Sequence, residues 1–153
     1  MQTTETGFAV MTTAALKIAG LPYRQWRTAV DKRDFISAPP TVGTDRRWSD
    51  DDLLVLCWYA SLWKSGMARP LAGQLANALH RAIAREPNAE TMNCWAWEAD
   101  GERGCLRVGT TPPDEAPKAE IIFVIPVSQW RENVRLAVAN LHAKKGARDG
   151  KRR

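Results

Sequence analysis

Ala14-Ala15-Leu16-Lys17-Ile18-Ala19-Gly20-Leu21-Pro22-Tyr23-Arg24-Gln25-Trp26-Arg27 decides how the first half of the chain is read. Thr12 or Thr13 is placed to cap a short helix over Ala14–Ala19, with Ala15, Leu16 and Ile18 as its apolar positions. Gly20 ends that helix. Pro22 then suits a first helical turn, because its missing N–H has no helical partner there anyway. The spacing predicts a second helix from Pro22 to Asp31. Trp26, Ala29 and Val30 fall at i, i+3 and i+4 and form its buried stripe. Tyr23, Arg24, Gln25 and Arg27 are expected to face outward.

Moving outward, Arg33 to Trp48 contains Pro39-Pro40 and Gly43, and reads as two short strands around a turn. Ser49 follows as a helix cap, with Asp52 at the third helical position, a capping-box spacing. Asp50 and Asp51 suit the positive end of the helix dipole. Leu53, Leu56, Cys57, Ala60 and Trp63 recur at helical spacing, and Ser65-Gly66 ends the helix. A further helix runs from Arg69-Pro70 to about Glu86, with Leu71, Leu75, Leu79 and Ile83 on one face.

Beyond Pro87 the pattern turns to strands. Met92–Ala99 and Cys105–Val108 flank a turn at Asp100-Gly101. Glu120–Val127 is strongly apolar, and Ile121–Ile125 reads as a strand buried on both faces or paired across a subunit boundary. Trp95 and Trp97, two apart on a strand, face one side and are expected to cover the last helix. Ser128 is placed to cap that helix, Gln129 to about His142. The fold class is therefore α+β. A winged helix-turn-helix comes first, followed by a helix and a small antiparallel β-sheet with a C-terminal helix. The expected division is a DNA-binding unit over residues 1–86, a β-sheet/helix unit for dimerisation or partner binding over 87–143, and a basic disordered tail over 144–153. Residues 1–7 are polar and expected to fray.

Charge and composition narrow the function. Hydrophobic residues make up 44% of the 153 and charged residues 25%, enough to bury a core. The net charge is +5. Six Lys/Arg against one acid from Lys144 to Arg153 account for all of it, so the remainder is near neutral. Such a tail can contact phosphates without sequence preference. No apolar run is long enough for a membrane span, and no basic-then-apolar leader opens the chain, so a cytoplasmic protein without a membrane partner is expected. Cys57, Cys94 and Cys105 have no CxxC spacing, and His80 and His142 lie far from them, so no metal site or disulfide framework is read. Asp50-Asp51-Asp52 diverge by about 100° each on a helix and do not converge on one ion. A Gly-rich phosphate loop, HExxH and Gly-x-Ser-x-Gly are all missing, so neither catalytic residues nor a cofactor are read, and the chain is expected not to be an enzyme.

The order helix, tight turn, helix, two-stranded wing, capped helix suits duplex DNA, whose major groove admits an α-helix. Arg and Gln are base-reading types, and Tyr and Arg suit phosphates. Arg46 and Arg47 end the wing. From Met11 to Gly66 the chain resembles the MerR-like winged-helix DNA-binding domains. Ala14–Pro22, Arg24-Gln25-Trp26-Arg27 and Arg46-Arg47-Trp48-Ser49-Asp50-Asp51-Asp52-Leu53 carry the resemblance. It implies that Arg24 and Arg27 lie on the recognition helix, that Arg46 and Arg47 contact the backbone, and that Trp48 packs under the wing. Thr28-Ala29 stands where that family carries a tyrosine pair. Strands follow the Pro70–Glu86 helix, where family regulators continue into a long dimerising helix.

The expectation is a sequence-specific transcription regulator bound to double-stranded DNA as a homodimer, with Ile121, Phe123, Ile125 and Trp130 at the dimer contact. The residues specify no small-molecule effector. An architectural or packaging factor of a phage or mobile element, or a protein-interaction module on the same fold, are the alternatives.

Overall fold

The computed structural model describes residues 10–151; the expected frayed segment, residues 1–7, lies outside them, as do the last two residues of the tail. Among the described residues are five helices and two three-stranded antiparallel sheets, an α+β chain. Strand β1 (Val10–Met11) leads into helices α1 (Thr12–Ala19) and α2 (Tyr23–Asp31). Strands β2 (Thr41–Val42) and β3 (Asp45–Trp48) follow, then α3 (Asp50–Lys64) and α4 (Arg69–Arg85). Strands β4 (Met92–Ala99), β5 (Glu102–Gly109) and β6 (Glu120–Ile125) precede α5 (Val127–Gly150).

Helix α3 is the centre of the molecule. Leu53, Leu54, Val55, Leu56, Trp58, Tyr59, Ala60 and Leu62 are all buried, so it is enclosed on nearly every side. That is wider than the single stripe its spacing suggests, and it follows from α1, α4 and α5 all packing on it. Its start is the capping box read from the sequence. Ser49 Oγ accepts from Asp52 N at 3.2 Å, and Ser49 N donates to Asp52 Oδ2 at 2.9 Å. Burial pushes the Asp52 carboxyl up, but hydrogen bonds from His80 and from the Ser49 backbone and hydroxyl outweigh it and leave it below the usual range. Asp50 and Asp51 also meet α5, through Arg135 at 3.8 Å and Arg131 at 3.1 Å.

The small sheet has the order β1-β3-β2, with Val10 opposite Trp48 and Thr41 opposite Arg46. Only Thr41–Val42 and Asp45–Trp48 form the expected strand pair. The run before them is held instead by side chains of α4. Asn77 Oδ1 accepts from Ile36 N at 3.2 Å and Ser37 Oγ at 2.8 Å, while Asn77 Nδ2 donates to Asp34 O at 3.1 Å. Arg69 pairs with the Asp34 carboxylate. At Gly73 a Cβ would lie 2.0 Å from Asp34 O, so only glycine lets this connection lie flat on α4.

The second sheet has the order β5-β4-β6. Its inner face places Met92, Cys94, Val108 and Ile125 in the same buried cluster as α3 and α4. That cluster runs through to Val134 and Val138 of α5, so core continues across residues 86 and 87. Burial pushes the Cys94 and Cys57 thiols up to about 11, which leaves both unreactive near neutral pH.

Several expectations for this half are corrected. The strand Ile121–Ile125 is not buried on both faces: β6 is an edge strand paired with β4 alone, and Ile121, Ile122 and Val124 are exposed. The reason is that β4, not β6, takes the middle of the sheet. Trp95 and Trp97 are half-buried and do not cover the last helix, because α5 packs on α3 and α1. Trp95 Nε1 donates instead to Gly109 O at 3.3 Å. Ser128 does not cap α5. Pro126 does so by position, since buried Val127 draws the first turn into the core. Thr12 is likewise within α1 and not ahead of it. The stretch expected to be disordered from Lys144 is helical as far as Gly150, as an extension of the packed part of α5.

Candidate nucleic-acid interface

The turn between α1 and α2 is tight because Gly20 takes a left-handed conformation, φ 62°. Leu21 N then donates to Leu16 O at 3.0 Å, and Leu21 itself is buried, pinning the corner. Helix α2 buries Trp26 and Ala29. At 100° per residue, Tyr23, Arg24 and Arg27 share the opposite face, and all three are exposed. Gln25 does not join them. It lies four residues before buried Ala29, about 40° away around the helix, and is half-buried. Val30 is half-buried.

The cations of this face differ in freedom. Arg27 pairs with Asp31 at 3.3 Å, but both side chains are more than half exposed, so the pair is weak and easily exchanged. Among the described residues no carboxylate holds the guanidinium of Arg24 or Arg47. Arg46 is engaged. It donates to Pro39 O and lies 5.9 Å from the centre of the Trp26 ring. It therefore ties the β2–β3 hairpin to α2. Arg47, its neighbour on β3, must point to the other face of the strand and is exposed. So the structure brings Arg46 to α2 through Trp26 and leaves Arg47 on the outer side.

A second tie holds the hairpin to α1. The Thr12 hydroxyl donates to Asp45 Oδ1 at 2.7 Å and accepts from Trp48 Nε1 at 3.1 Å. The Thr12 hydroxyl, and then the Arg46 backbone N–H, hold the Asp45 carboxyl below the usual carboxylate range. Trp48 packs edge-on to Trp26 at 6.2 Å, which joins hairpin, α1 and α2 in one aromatic seam. Sequence reasoning read Thr12 only as a possible cap and missed Asn77, a polar residue in apolar surroundings, the signal that could have found it.

The expected dimer residues are divided. Ile121 is exposed, Phe123 and Trp130 are half-buried against the core, and Ile125 is buried within it. Among the described residues no group of three His, Cys, Asp or Glu is placed to hold a metal ion. No helix among them is long and apolar enough to cross a membrane. No known protein-family model matches this chain, and no curated protein matches it.

Proposed function

We propose that the chain is a sequence-specific, double-stranded-DNA-binding transcription regulator and not an enzyme, with a MerR-like winged helix-turn-helix in its first half. Helix α2 is the recognition helix for the major groove, and the β2–β3 hairpin is the wing against the flanking backbone. Tyr23, Arg24 and Arg27 read or steady the duplex, and Arg47 meets phosphate. Arg46 holds wing and helix in register. One observation carries this reading: the exposed face of α2 presents Tyr23, Arg24 and Arg27 while its buried Trp26 is locked to the hairpin by Arg46. The second half is assigned to pairing with a second copy, which would set two recognition helices on two half-sites.

The test is fluorescence anisotropy on duplexes selected from random sequence. Arg24→Ala is expected to lose about 1–3 kcal/mol on the selected site and to relax base preference at one position. Arg47→Ala is expected to weaken all duplexes alike and to make the salt slope shallower by about one contact. Parental binding by both variants would refute the assignment.

A further inference from the structure

Helix α5 changes chemistry along one face. Val134, Val138 and Leu141 form the stripe that packs on the body, and Lys145 and Arg148 continue the same spacing one and two turns later. Lys144 and Lys151 flank them at three-residue steps. Val138 is the last buried residue, and the twelve helical residues after it extend roughly 18 Å. From His142 to Lys151 every residue is exposed, and a Cβ at Gly146 or Gly150 would meet nothing within 4 Å. The basic stripe thus begins where the protein body stops, turned to the side the body occupies.

We propose that this overhanging end of α5 is a second DNA-binding element, which lays Lys144, Lys145, Arg148 and Lys151 along the sugar-phosphate backbone of a duplex. It rests on the reading of the chain as a DNA-binding protein and adds a contact outside the winged module. The stripe carries four cations, with Asp149 beside it as the one acid of those turns. Beyond Leu141 the arm has only alanine and glycine as apolar residues, so it lacks the bulky face an interfacial membrane helix needs. Lys144 and Arg148, and Lys145 and Arg148, are like-charge neighbours at helical spacing, and Gly146 weakens the helix further. A polyanion removes the repulsion, so duplex binding stabilises the arm. The contacts carry no base information and act through counterion release.

The experiment compares the full chain with the variant Lys144→Gln, Lys145→Gln, Arg148→Gln, Lys151→Gln, alongside Arg24→Ala. Binding to selected and mixed-sequence duplexes is followed over a salt series, and circular dichroism is recorded with and without duplex. The arm variant is expected to bind both duplexes at least tenfold more weakly at about 0.15 M salt. Its salt slope should be shallower by roughly three to four. Its preference for the selected site should be unchanged, and the helical gain on adding duplex should be lost. Parental affinity and slope in the arm variant would overturn the proposal whatever Arg24→Ala does. If Arg24→Ala binds like the parent while the arm variant loses its slope, the arm stands and the winged-module reading falls. Equal salt-dependent co-sedimentation of the parent with phosphatidylserine vesicles would overturn the choice of a duplex.

Discussion

Trp26 and Trp48 sit side by side in the seam under α2, yet their indole N–H groups have opposite fates. Trp48 Nε1 donates to Thr12, whereas Trp26 Nε1 is buried with no hydrogen-bond partner. An unpaired buried donor costs about 1–3 kcal/mol, so its removal offsets part of the packing lost with the larger ring. Trp26→Phe is therefore expected to be less destabilising than Trp48→Phe by about 1 kcal/mol or more in urea unfolding. The same two residues show what was legible at this scale. Trp48 is buried at the end of β3, and Trp26 as a buried residue of α2 followed from spacing. The cation above Trp26 did not, because Arg46 is twenty residues away and nothing local marks it as structural. Gln25 shows the complementary failure. Its residue type suggested base reading, but helical rotation puts it beside Ala29.

At the scale of elements, local signals performed well where a local cause exists. The capping box at Ser49, the left-handed Gly20 and the α3–α4 break at Ser65-Gly66 are short-range devices, and each lies where its residues indicate. The reading of β6 as buried on both faces failed because an apolar run reports hydrophobicity, not sheet order. Its edge position creates a physical demand. One side of β6 is unpaired and flanked by exposed Ile121, Ile122 and Val124. At the other end of the sheet α4 packs along β5, and Arg85 donates to Val108 O at 3.4 Å. On the proposed reading of the second half as a pairing unit, antiparallel pairing of β6 with its copy would form a closed twofold dimer. Light scattering should show a dimer for the parent. Val124→Lys, which charges the edge, should raise its dissociation constant about tenfold or more. A parent that stays monomeric at high concentration would contradict the pairing.

In the whole molecule, α1, α4, α5 and β3 pack on α3, and side-chain ties join the remaining units. Helix α1 and the hairpin share Thr12, the connection after α2 is clamped by Asn77 and Arg69 of α4, and α5 is tied to the start of α3 through Arg131. These ties fix where the exposed face of α2 sits, as its proposed entry into a groove requires. This integration was the least legible feature, since it rests on pairs 33 to 80 positions apart. The most direct test is nuclear magnetic resonance of the full chain titrated with a selected duplex, following backbone amides and arginine side chains. The largest changes are expected on Tyr23–Asp31 and on the hairpin around Arg47, with Arg24 Nε among the most shifted. Changes concentrated on the β4–β6 sheet, with α2 unmoved at saturating duplex, would contradict the proposal.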